Sequence, residues 1–221
     1  MEFQTEKDKE KVKKVSKFVE KTTGKTIEEF LKTRKWKDKT IARHLFENNI
    51  DDTDKKQLQS KITNEHVLDN RTHEEYALNV ALSWFIEDAI IEILNKNGIN
   101  AEKMGTDKDR SFDVFSSDSP DIYIPEKDKY FEIITNYANA FISRKTIALR
   151  DNKYENLKMF ESGIIIYDFP SNRFFVSNDV SKETVLKKAY NNSFGKITTN
   201  VSINDSPLDI NDFIRKMKEV S

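Results

Sequence analysis

The sequence predicts an α/β domain with a helical N-terminal extension. Three features lead there. Over residues 1 to 70, apolar residues recur at helical spacing inside a strongly charged stretch. Residues 72 to 97 form one long apolar helical run. Between residues 113 and 177 the apolar residues gather in short runs separated by Pro, Asn and Asp turns, which is the mark of strands. A chain of 221 residues is long enough for one good-sized domain or a core with a smaller appendage. The expected division is a helical region, 1–70, and an α/β domain, 71–221.

The elements follow in order. Val12, Val15, Phe18 and Val19 share one helical face among lysines, and Gly24 ends that helix. Thr26 with Glu29 forms a capping box that opens a short helix through Phe30 and Leu31. Thr40 to Asn48 is a third short helix. Thr72 and Glu75 open the long helix, which carries Tyr76, Val80, Phe85, Ala89, Ile90 and Ile93 near one stripe and stops at Gly98. Asp113 to Ser116 reads as a strand. Asp121 to Thr135 reads as a hairpin turning at Pro125–Lys129. A basic, mostly helical stretch is expected from Ser143 to Glu161. Gly163 to Phe169 is a fully apolar run, hence a buried strand, and Arg173 to Ser177 is a further strand. Ser181 to Tyr190 and Ile210 to Val220 are expected helices.

Composition narrows the chemistry. There is no cysteine, which excludes disulfides, thiolate metal sites and a Cys nucleophile. With three histidines, a bound metal would rest mainly on oxygen. Five scattered glycines supply no P-loop, dinucleotide fingerprint or nucleophile elbow, so no nucleotide cofactor is expected. The first residues lack an apolar secretory core, and Glu87, Asp88 and Glu92 break the longest apolar stretch. The expectation is a cytoplasmic protein with no membrane partner. A net charge of −1 conceals segregation. Residues 7–43 hold 14 Lys/Arg against 6 Asp/Glu, residues 44–138 hold 10 against 20, and residues 139–158 hold 5 against 2. Two basic segments thus flank an acidic centre, a pattern suited to a polyanion around a cation-attracting site.

Asp121 and Glu132 stand on the two arms of the predicted hairpin and can face the same side. Glu132 interrupts the otherwise apolar run Tyr130-Phe-Glu-Ile-Ile134, where a carboxylate is costly unless it is paired or metal-bound. Ser119-Pro-Asp121, eleven residues before Glu132, resembles the signature of the PD-(D/E)XK nucleases. Glu87, eleven residues before Gly98, is similar to that family's additional acidic residue on its first helix. The resemblance covers about residues 72 to 180. It implies a restriction-endonuclease-like core, a central mixed β-sheet flanked by helices, and hydrolysis of DNA phosphodiester bonds with Mg²⁺, for which Mn²⁺ substitutes. The expected metal ligands are Asp121, Glu132, the Ile133 carbonyl and Glu87. The compact size looks like a type II restriction endonuclease acting as a homodimer on double-stranded DNA.

The family usually places a lysine two residues after the second carboxylate, to position or polarise the attacking water. Here that residue is Ile134. Lys153 is the preferred substitute and Lys145 the next. DNA contacts are expected from Arg144, Lys145 and Arg150, from Lys35, Lys37 and Arg43 with Trp36 among them, and from Asn191-Asn-Ser193. Asn136 and Tyr137 are further candidates to line the site. The missing lysine also leaves open an inactive DNA-binding member or a nicking subunit that needs a partner, and the family's breadth leaves open a junction-specific nuclease.

Overall fold

The computed structural model describes residues 4–62, 71–113, 118–138, 140–191 and 195–220. The expected strand at Asp113 to Ser116 falls almost wholly outside the described residues. The chain divides into two compact units, Met1–Ile93 with Thr106–Ser116, and Leu94–Gly105 with Ser117–Ser221. This division cuts the long helix near its end, whereas the sequence reading put the join ahead of it.

The first unit is helical. It contains α1 (Glu6–Thr23), α2 (Ile27–Lys32), α3 (Lys39–Glu47), α4 (Asp52–Ile62) and most of α5 (His73–Lys96). Local chemistry sets the boundaries. Thr5 and Asp8 form a reciprocal capping box on α1, and Thr26 and Glu29 do the same on α2. Gly24, at φ 72°, closes α1 in the left-handed conformation that glycine adopts without a steric cost. The Glu75 amide donates to the Thr72 hydroxyl at 3.1 Å, which caps α5. Trp36 is buried against Trp84 and Phe85, with its indole N–H donating to Asp88 Oδ2 at 2.8 Å. Its place is therefore the core. Its apolar rings gain more from burial than from an exposed basic surface, and Asp88 satisfies its single polar atom.

The second unit is α/β with two sheets. The larger is mixed, in the order β1 (Glu102–Lys103), β2 (Ile122–Ile124), β3 (Lys129–Asn136), β5 (Gly163–Asp168), β6 (Arg173–Ser177). Only β3 and β5 run parallel; the other pairs are antiparallel. A parallel pair needs a crossover, and the chain between them supplies α6 (Ala140–Arg144), β4 (Thr146–Arg150) and α7 (Asp151–Met159). The smaller sheet is antiparallel, in the order β4, β8 (Lys196–Ser202), β7 (Thr184–Asn191), and α8 (Ile210–Glu219) follows. Every residue of β5 is buried, as its unbroken apolar run requires. One core joins the sheets: Ile164, Ile166 and Phe175 meet Ile147, Leu149 and Val201, with Tyr154 and Leu157 of α7 between them.

Two expectations are corrected here. The basic stretch 143–161 is helical at Arg144 and over Asp151–Met159, but it is interrupted by Thr146–Arg150, which alternates between buried and half-buried positions as a strand. Residues 184–191 form β7 rather than a helix, after a short 3₁₀ turn at Val180–Lys182. Both strands depend on β8, whose Val201 pairs with Ile147 on one side and Val185 on the other. That partner lies far along the chain, so local periodicity does not report it. Among the described residues no helix is long and apolar enough to cross a membrane.

Candidate active site

The site grows from the β2–β3 hairpin. Ile122 pairs with Phe131, so extending the register by one residue sets Asp121 opposite Glu132. The Asp121 backbone is held on both sides: its N–H donates to the Phe131 carbonyl at 3.0 Å, and its carbonyl accepts from Met104 N–H at 2.8 Å. Its side chain continues the ladder where the backbone leaves it, with Oδ2 accepting from Ile133 N–H at 2.7 Å. Ile133 thus meets the site through its amide.

Alternation along β3 puts Glu132 and Ile134 on one face. Ile134, where the resemblance would place a lysine, packs against the core between the sheets. An ammonium there would be buried in hydrocarbon, which explains why the position is apolar. The cation enters instead from α7, which covers the same face. Lys153 is buried, and its Nζ lies 2.7 Å from Glu132 Oε2 and donates to the Ser119 carbonyl at 2.6 Å. Burial by itself would lower the Lys153 pKa, but the Glu132 and Asp121 carboxylates outweigh that and hold it above the ordinary lysine value. Arg150, which opens α7, opposes the shift and pairs with Asp118 Oδ1 at 3.2 Å. The structure therefore brings together Asp121, Glu132, Lys153 and, at the rim, Arg150.

The other predicted residues have other partners or belong to the first unit. Lys145 sits at φ 50°, donates to the Asp205 carbonyl at 3.0 Å and lies 4.3 Å above the Phe175 ring. Glu87 belongs to the first unit, where Arg110 Nη1 lies 2.7 Å from its Oε2 while Nη2 bonds Asp88 at 2.7 Å. Burial opposes the Arg110 charge, yet Glu87, Asp88 and Asp107 together raise its pKa above the usual value. Arg144 is exposed. In the first unit Lys35 and Arg43 are exposed, and Lys37 pairs with Asp109 at 3.1 Å on the surface. Arg43 also lines a shallow cavity of about 180 Å³ with Lys32 and Lys39. Asn136, at the far end of β3, bonds Asp168, and Tyr137 stacks on Phe169 at 4.7 Å; burial raises the Tyr137 pKa. Asn192 and Ser193 lie outside the described residues. The sequence reading passed over Tyr123 and Tyr130, although their i, i+2 spacing from Asp121 and Glu132 already put them on the same face.

The donor set suits a hard divalent cation. Asp121 and Glu132 stand opposite each other on the hairpin and both carboxylates act on Lys153, and Mg²⁺ binds through one or two carboxylates while keeping several waters. Among the described residues no group of three or more acidic or histidine side chains gathers at one point. No family model, curated protein or solved structure matches this chain.

Proposed function

We propose that this chain is a Mg²⁺-dependent endodeoxyribonuclease whose second unit follows the restriction-endonuclease plan. One observation carries this reading: the α7 ammonium of Lys153 reaches the Asp121–Glu132 pair, filling the role left vacant at Ile134. Asp121 and Glu132 would hold the metal. When bound, the metal supplies a lowered pKa for a coordinated water and neutralises charge on the phosphate. Lys153, an ammonium 2.7 Å from Glu132 and bonded to the Ser119 carbonyl, serves as a hydrogen-bond donor and charge stabiliser rather than as a base. Its bond to the Ser119 carbonyl fixes the ammonium relative to the loop that delivers Asp121. Arg150 at the rim and Arg144 on the surface are placed for phosphate contact.

The finer reading is a sequence-specific type II restriction endonuclease, homodimeric, acting on double-stranded DNA; it rests on the resemblance alone. A second reading draws on the same ion pair. If Lys153 only neutralises Glu132, the chain is an inactive DNA-binding relative. Incubation of supercoiled plasmid with purified protein and Mg²⁺ or Mn²⁺ separates the two. Nicking that disappears in Asp121→Asn and Glu132→Gln supports the nuclease. A gel shift with no metal-dependent break in any DNA refutes it.

A further inference from the structure

The row of side chains beside the carboxylate pair is aromatic. Tyr123 and Tyr130 are register partners on β2 and β3, each two residues from Asp121 or Glu132. All four side chains therefore stand on one face, with the rows about 7 Å apart. The tyrosine rings stack at 4.5 Å with their planes 25° apart, and Phe160, just past α7, packs on Tyr130 at 5.2 Å. On the opposite side of the carboxylates the next row, Ile134 with Ile166, is closed by the core. The aromatic row is open: both tyrosines are half-buried, Phe160 is 38% exposed and Met159 is 77% exposed. The carboxylates thus lie at the lip where this face passes from core to solvent, and the way out runs over the rings.

Charge selects what fits there. The Tyr123 hydroxyl donates to Asp128 at 2.9 Å, and Glu102 is its register partner on β1. These two carboxylates disfavour a phosphate on the rings. A neutral π face carries no such penalty, and stacking on aromatic side chains is how proteins hold bases without reading their sequence.

We infer that Tyr123, Tyr130 and Phe160 form a stacking platform for one unpaired nucleobase next to the phosphodiester held at Asp121, Glu132 and Lys153. The substrate class is then duplex DNA opened at the cut site by a flap, mismatch or splayed end, in place of the intact duplex of the type II reading. A base inside an intact duplex has both faces covered by its neighbours and reaches the rings only after unstacking. The inference rests on the nuclease reading for the position of the phosphate, and the platform itself is tested by binding.

The probe is a short duplex carrying one unpaired 2-aminopurine, compared with the same duplex fully paired. The full-length protein is used with Ca²⁺ to hold cleavage back. Binding of the unpaired probe should quench 2-aminopurine fluorescence. Tyr123→Leu should weaken that probe's affinity by about 5- to 150-fold, the range for losing one stacked base, and leave the paired duplex unchanged. Tyr123→Phe, which keeps the ring and drops only the bond to Asp128, should retain the preference; Phe160→Ser, at an exposed position, gives a second loss should Tyr123→Leu misfold. Equal affinity of the wild type for both probes, or equal loss on both in the variants, overturns the platform. If Asp121→Asn still abolishes cleavage in that case, the nuclease stands without it. Quenching that depends on Tyr123 in a protein that never cuts DNA keeps the platform and overturns the nuclease.

Discussion

Replacing Lys153 with methionine removes one charge and almost no volume, so it isolates what the ammonium does. The Lys153 side chain is 8% exposed and that of Glu132 13%, so water screens the pair weakly. Removing one partner of a buried ion pair costs about 3–5 kcal/mol, because the other charge is left without compensation. Glu132 keeps some contact with solvent, which puts the expectation at the low end, about 3 kcal/mol. For a chain of this size that corresponds to a fall in Tm of roughly 6–12 °C, read by differential scanning calorimetry on the transition of the sheet-containing unit. The pH dependence has a definite sign. The Lys153 pKa is raised in the folded state, so its contribution is fully present below the ordinary lysine value and is lost only as pH rises through the higher folded value. The gap in stability between wild type and Lys153→Met should therefore be flat from pH 6 to 9 and close in strongly alkaline solution. Added Mg²⁺ should stabilise the variant more than the wild type, because a cation on the carboxylates replaces the missing ammonium. In plasmid assays Lys153→Ala should cut more slowly than Lys145→Ala, whose ammonium is spent on the Asp205 carbonyl and the Phe175 ring. An unchanged Tm with unchanged cleavage in Lys153→Met would refute both the energetics and the catalytic role.

Three further outcomes follow from particular contacts. Asp121→Asn and Glu132→Gln should each lower Mg²⁺-dependent nicking by about a thousandfold, equivalent to several kcal/mol of lost charge stabilisation, with circular dichroism unchanged; near-normal rates would move the site. Arg110→Met should destabilise the helical unit by about 3–5 kcal/mol, since Glu87 and Asp88 would lose the buried guanidinium that bridges them, and chemical denaturation should show partial recovery in acid. Gly163→Ala should cost about 1–3 kcal/mol in urea unfolding: its Cβ would stand 2.3 Å from the Phe131 ring and 2.6 Å from the Ser177 carbonyl, and the backbone cannot withdraw as a flexible side chain would.

Much of the local structure was legible without coordinates. The boundaries of α1, α2, α5 and α8 depend on caps and stops within a few residues of each other, such as Thr26 with Glu29, or Gly24. The β2–β3 hairpin was legible for the same reason, and with it the placement of Asp121 and Glu132 on one face, since alternation is a property of the strand itself. The burial of β5 followed from its unbroken apolar run. By contrast β4 and β7 read as helical. Thr184–Asn191 is mostly exposed and carries no period-2 pattern, so only its pairing with β8 makes it a strand.

Within the site, the sequence determined two carboxylates, the apolar residue at Ile134 and a set of candidate lysines. Tertiary structure chose among the lysines. Lys153 follows Glu132 by 21 positions, and no periodicity relates them; the α7 helix lies over the face of β3 because Tyr154 and Leu157 must bury against Ile164 and Ile166. The same packing fills the space at Ile134 with hydrocarbon. Within the first unit, helix packing assigned Trp36 to the core and Glu87 to a buried pair with Arg110. Short-range hydrogen bonding and side-chain alternation act within a few residues and can be read from the sequence. Which charge meets which depends on how distant apolar faces close, and that is settled only when the chain folds.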